Sequence, residues 1–540
     1  MTRRTNQSRI GTMLLVSTML AVACGDEEQR RAGGTDDPQP AASSDAPASA
    51  FADVPVPGED APRLVATSLA TVIYAQPSAS SEKLGYLRVG ETVARSKGAV
   101  TYEGCEYGWY AVRPAGFVCV GNDASLYIPH PLARALGKLP DTTKPLPYQY
   151  GFVRAIAPNY LRVPTKQEQR QYEFQLDRHL RSYRKLKDRW NVWEPGANLV
   201  PLDPTGVAIG PAPKEHPDLS ENELFGGTGN EMVPWWLDGG RKIPHLSGYK
   251  APTYAVIAGR VRRHTGLALI DSFVPGESAG FRRMAVTTDG RLVPASKLKP
   301  NTGSTWHGMP LGARSGLDLP VGFITEPNGT EVFALADEQT KSVGRLPWRA
   351  TVNLSGRSRM RQGNRYVELK NGSWILSDDA AIAALPSQLP AFARGRQKWI
   401  DLSVVSQTMV AWEGATPVYV TIVATGRDGL RDPKTTHSTV RGTFTVREKH
   451  VTTTMDANEV DNKFELRDVP WVQYFKGGYA LHAAYWHDDY GKPRSHGCVN
   501  MSPIDARWFF FWSDPRLPDG WHAVYESEKT GKGTIVHIHR

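Results

Sequence analysis

Residues 479–500 read YALHAAYWHDDYGKPRSHGCVN. The alternating start, Tyr479-Ala480-Leu481-His482, predicts a strand that ends on a histidine. The stretch closes on Arg494-Ser495-His496-Gly497-Cys498-Val499-Asn500. A thiol near its ordinary pKa is only partly ionised at neutral pH, so a nucleophilic cysteine needs an imidazole or a positive potential beside it. His482 and His496 are both candidate imidazoles for Cys498. Gly497 permits a tight turn that aims its own N–H, with that of Cys498, at a developing oxyanion. Downstream, Ser502-Pro503 and then Asp505 to Trp512 read as a capped helix with proline at its first position. A cysteine just ahead of such a helix gains from the positive end of its dipole. The aromatic block Trp508–Trp512 reads as core.

A β-rich unit surrounds this stretch, from residue 396 to residue 540. Trp399–Leu402 and Thr408–Trp412 read as strands joined through Ser406-Gln407, followed by Pro417–Thr425 and Gly442–Val446. At Ser495-His496-Gly497-Cys498-x-Asn500, with His482 upstream, the sequence resembles the YkuD-type L,D-transpeptidase family over roughly the last quarter of the chain. The resemblance implies a β-sandwich catalytic domain with Cys498 as nucleophile and His482 as general base. It further implies that His496 and Gly497 shape the oxyanion region while Ser495 and Asn500 hold the loop. The implied reaction acts on peptidoglycan stem peptides without a metal or other cofactor. Cys498 attacks the carbonyl of the third stem residue, releases D-Ala as a thioester forms, and passes the acyl group to an amine. Carbapenems are the covalent inhibitors that such a nucleophile implies. Two positions depart from the family pattern: Ala483 follows the base where Gly or Ser is frequent, and Val440 stands where Pro is usual.

Rival chemistries are open to the same residues. A zinc site from His482, His487, His496 and Cys498 has a spacing that fits no common structural pattern. Apart from that zinc reading, His487, His537 and His539 read as structural histidines. A wall-peptide cysteine peptidase of the NlpC/P60 class carries its cysteine before its histidine, the reverse of the order here. An L,D-carboxypeptidase differs only in its acceptor, and a non-catalytic wall-binding lipoprotein only in lacking turnover.

The rest of the chain predicts a mainly β, multidomain protein. Its 540 residues exceed one ordinary core, and Gly 50 with Pro 40 favour turn-rich modules. Arg3, Arg4 and Arg9 ahead of the apolar run Met13–Val22 read as an export signal. Ala21-Val22-Ala23-Cys24 resembles a lipobox, with Cys24 as the lipidated residue and residues 1–24 as a lipoprotein signal peptide. That reading places the protein in the periplasm or cell envelope, held to a membrane through an N-terminal lipid; a plain secretory signal is the alternative. Residues 25–62 are poor in large apolar groups and read as a disordered tether. Residues 63–126 resemble an SH3-like domain, and 321–385 repeat its order of β-runs as a second one. Between them, 127–320 reads as a mixed region with one helix near 165–190, begun by a Thr165/Glu168 capping box. In an oxidising compartment Cys105 and Cys119 bridge two neighbouring strands or remain two buried thiols. Reactivity then becomes the leading reading of Cys498. The net charge of +9 comes with no aromatic-basic nucleic-acid motif, so no nucleic-acid partner is expected.

Overall fold

The computed structural model describes residues 51 and 53–540, except 191–195, 215–218, 247–250, 253, 314, 337–338 and 457–464. The export signal, Cys24 and most of the tether lie outside the described residues. The described chain is mainly β, arranged in several sheets.

The C-terminal unit is a sandwich. Its first sheet comprises β1 (Lys398–Ser403), β2 (Thr408–Glu413), β3 (Thr416–Ile422), β4 (Gly442–Thr445) and the last strand, Ile535–His539. The second comprises β5 (Glu448–Asp456), β6 (Glu465–Lys476), β7 (Tyr479–Ala483), β8 (Val499–Met501) and β9 (Ala523–Tyr525). With the last strand as β10, the orders are β3-β2-β1-β10-β4 and β9-β5-β6-β7-β8. Helix α1 (Pro503–Trp512) follows β8 directly, begun by Ser502, whose Oγ accepts from Asp505 N–H at 3.1 Å. One core joins all three layers: Ile400, Met409 and Val536 from the first sheet, Val451, Trp471 and Leu481 from the second, Phe509 and Phe510 from α1. Phe511 is the member of the aromatic block that turns outward. Val440 packs against this core as a half-buried apolar residue, so the loop before β4 is held without a proline.

The upstream segments are not beads on a string. Strand Lys83–Leu87 joins the second sheet by pairing antiparallel with β9, Tyr86 opposite Ala523 and Gly85 opposite Val524. At Gly85 (φ +156°) a Cβ would lie 2.1 Å from Ala523 O, so this junction requires glycine. From the middle region, Gly266 pairs parallel with Leu466 of β6, and Met309–Pro310 extends the first sheet at β3. The stretch 191–320, for which the sequence offers no role, supplies strands Ile257–Val261, Gly266–Phe273, Met284–Thr287, Leu292–Pro294 and Leu298–Asn301 to the large sheet. Residues 321–383 form a separate seven-stranded sheet around Ile324, Leu354, Val367 and Ile375.

Two local expectations change. The predicted helix is two helices, Lys166–Tyr172 and Leu176–Trp190. The break falls where Glu173 turns its buried carboxylate onto Arg282, Lys297 and the Tyr160 hydroxyl, and Gln175 takes φ +50°. The capping box at Thr165 and Glu168 is formed. Cys105 and Cys119 are disulfide-bonded, but Cys105 sits in the turn before strand Trp109–Ala111, so the bridge ties a turn to strand Phe117–Cys119.

A buried polar knot fastens the upstream strands to β6. Arg88 pairs with Asp468 at 2.6 Å, Thr288 Oγ1 donates to the same carboxylate at 2.5 Å, and Tyr150 O–H donates to Asp468 O at 2.7 Å. Burial pushes the Asp468 carboxyl up, yet the guanidinium and the hydroxyl outweigh it and hold the group below its ordinary value. Arg88→Met strands a buried carboxylate and is expected to lower unfolding stability by about 3–5 kcal/mol in denaturant titration. A folded pKa below the unfolded one means that the Asp468 contribution is complete above the ordinary carboxylate range. It is lost as pH falls through the folded value, so the gap between wild type and variant narrows on acidification.

Candidate active site

Strands β7 and β8 run parallel, with Leu481 opposite Val499, His482 opposite Asn500 and Ala483 opposite Met501. Neighbouring strands lie about 4.8 Å apart, so this register brings the end of β7 beside the residues that open β8. Cys498 immediately precedes β8, two residues before Asn500, and packs in a cluster with Ala480, Val472 and Leu466. Its Sγ lies 3.5 Å from Gly478 O. Trp486 ties the two residues together: it packs against the Cys498 cluster, and its ring stacks on that of His482 with centroids 5.7 Å apart.

His482 is completely buried and its Nδ1 is 3.1 Å from Ala483 O. Nδ1 therefore carries the proton and donates to that carbonyl, which leaves a lone pair on Nε2. Nε2 is buried without a hydrogen-bond partner among the described residues. Burial pushes the imidazole down to about 4, so it is neutral at ordinary pH. The departure at Ala483 is thus immaterial to orienting His482, because the backbone carbonyl does it.

The loop ahead of Cys498 is held from within and behind. Ser495 Oγ accepts from Gly497 N–H at 3.0 Å and donates to Cys498 O. Gly497 O accepts from Thr439 Oγ1 at 2.8 Å, and Thr439 Oγ1 in turn accepts from Gly426 N–H at 2.8 Å. Behind the loop, Ala424 and Asn500 exchange both backbone hydrogen bonds at 2.9 Å, while Gln407 brackets Thr425. His496 packs edge-on against His437, ring centroids 4.2 Å apart, and burial with the nearby His437 and Arg427 pushes it down to about 3. Like His482, it is therefore neutral at ordinary pH. Gly497 has φ +128°, and a Cβ there would lie 2.8 Å from the Tyr479 ring. Gly497→Ala is expected to lower stability by about 1–3 kcal/mol, read as a fall in thermal midpoint, with a parallel loss of activity.

Two sequence expectations are corrected. The Gly497 N–H, expected to face an oxyanion, donates to Ser495 Oγ instead. The dipole of α1 does not act on Cys498, because all of β8 intervenes and the effect fades within one helical turn. The four zinc-candidate side chains are engaged separately, and no group of three His, Cys, Asp or Glu placed to hold a metal occurs among the described residues.

His487, read from sequence as structural, holds the site from behind. Asp489 N–H donates to His487 Nδ1 at 3.2 Å, and burial first, then Arg494, pushes the ring down to about 3. The neutral ring keeps its single proton on Nε2, 2.8 Å from the Asn500 carboxamide. Hydrogen-bond logic therefore turns the Asn500 carboxamide oxygen toward His487. Trp486 had no signal beyond its place four residues after His482.

Residues 397–538 match the family model of the YkuD L,D-transpeptidase catalytic domain. No curated protein matches the chain. Among solved structures, the L,D-transpeptidase of Xylanimonas cellulosilytica is 22% identical, with 29% of this chain and 64% of that one covered and a TM-score of 0.20. The catalytic domain of the E. faecium L,D-transpeptidase is 21% identical, with 27% and 99% covered and a TM-score of 0.21. LD transpeptidase LdtMt1 in complex with imipenem is 15% identical, with 48% and 90% covered and a TM-score of 0.21. The chain thus spans less than two thirds of the first of these structures. The C-terminal quarter of the chain, residues 397–538, is a YkuD L,D-transpeptidase catalytic domain.

Proposed function

We propose that the protein is a peptidoglycan L,D-transpeptidase with Cys498 as nucleophile and His482 as its base. One observation carries this reading: a buried histidine with a tautomer-fixed, unpartnered Nε2 at the end of the strand beside Cys498. His482 Nε2 takes the thiol proton as Sγ bonds to the carbonyl carbon of the third stem residue. The tetrahedral intermediate collapses to a thioester, and the same proton leaves with the amine of D-Ala. An amine from a neighbouring stem attacks the thioester, gives its proton through His482 to the departing sulfur, and completes the cross-link. Water in place of that amine yields a carboxypeptidase. His496, Ser495, Gly497 and Asn500 position the loop in this reading. Such chemistry lies outside the cytoplasmic membrane, where the basic and apolar residues before Cys24 would direct the chain, and the small β modules at 63–126 and 321–385 would act as SH3-like accessory domains.

The test is product analysis. Full-length protein with tetrapeptide muropeptides is expected to release D-Ala and form a dimer linked through the third residue. Cleavage elsewhere in the stem contradicts the reading. Because a neutral imidazole is the base and burial holds it at about 4, the acid limb of kcat/KM is expected near pH 4. A limb at the ordinary histidine value of about 6.5 would argue against this assignment.

A further inference from the structure

A recess opens beside strand β7, walled on one side by residues from outside the C-terminal unit. Its volume is about 250 Å³, and it lies between residues 299–304 of the middle region and residues 485–488 after β7. Trp486 belongs to both places, lining this recess and stacking on His482. His487 likewise lines it and contacts Asn500.

The charges in the recess do not cancel. Asp488 is neutralised by Arg349, whose Nη2 pairs with the carboxylate and also donates to Asp488 O at 2.9 Å. His487 is held neutral by its burial. Lys299 lies on strand Leu298–Asn301 between buried Leu298 and Pro300, so it points away from that core, and it is exposed. It forms no ion pair among the described residues. Asn301 Oδ1 accepts from Gly303 N–H at 3.0 Å and leaves its carboxamide N–H groups as donors. Ser304 Oγ accepts from Trp306 N–H at 3.0 Å and retains its own O–H. One uncompensated ammonium among neutral donors is a receptor for a monoanionic oxygen group.

We infer that this recess binds a carboxylate of the acyl-donor stem peptide away from the scissile bond, and that Lys299 makes the enzyme prefer donors whose carboxylates are free over amidated ones. This rests on the transpeptidase reading, which supplies an acidic peptide to Cys498, and Trp486 joins the recess to His482.

The experiment compares kcat/KM for D-Ala release from a tetrapeptide donor with free stem carboxylates and from the same donor with them amidated. Full-length wild type, Lys299→Ala and Lys299→Glu are measured in parallel. Wild type is expected to favour the acidic donor about five- to tenfold, mainly through KM. Lys299→Ala is expected to erase that preference, and Lys299→Glu to reverse it. A preference unchanged in both variants, or a change confined to kcat, overturns the inference while leaving the transpeptidase reading intact. Absence of D-Ala release by wild type from either donor overturns both.

Discussion

Cys498→Ala is expected to abolish D-Ala release, by at least about a thousandfold, because no acyl-enzyme can form without the sulfur. Cys498 is completely buried among Val472, Ala480 and Leu466, so the smaller side chain should lower stability by only about 1 kcal/mol and the fold should survive. Cys498→Ser is the sharper variant. Serine nearly preserves the shape, but its hydroxyl is far less acidic than a thiol, and a base pushed down to about 4 cannot activate it. Both variants are expected to be equally inactive in product release, with unchanged circular dichroism. Residual turnover above about one per cent of wild type in Cys498→Ala would remove Cys498 from the mechanism.

His482→Gln is expected to reduce kcat/KM by about 10²–10⁴, the usual worth of a positioned general base. Its pH profile says more than its magnitude. Wild type should be level above its acid limb, because the imidazole is already neutral there. The variant has no base, so its residual rate should climb with pH across the range in which wild type is level. A variant profile parallel to that of wild type would mean that His482 acts only by packing on Trp486.

That His482 and Cys498 come together was legible in the chain because the proposed chemistry is carried by rare residue types at fixed spacing. His482, Cys498 and the glycine between two loop residues are adjacent in sequence to the strand and helix signals that place them. The roles of neighbouring groups were less legible. Gly497 N–H looks available until the Ser495 hydroxyl is seen to claim it. The helix signal at Ser502 was correct, but the three residues Val499–Met501 form a strand that separates it from Cys498. The His487 role was hidden because it depends on Asn500, which the β7–β8 register brings near. Long-range pairing was hidden most completely. Nothing local in Tyr86 or Gly266 announces Ala523 or Leu466 as a partner, and a reading by composition alone separates modules that share one sheet. The break near Glu173 is of the same kind, since its carboxylate answers to Arg282, more than a hundred residues away.

The central claim is that an acyl group passes through Cys498, and intact-protein mass spectrometry tests it most directly. Full-length protein quenched in acid after brief exposure to a tetrapeptide donor should gain the mass of the donor less D-Ala. Peptide mapping should place that mass on the fragment carrying Cys498. D-Ala release with no such adduct under any quench time, or an adduct mapped to another residue, would contradict it.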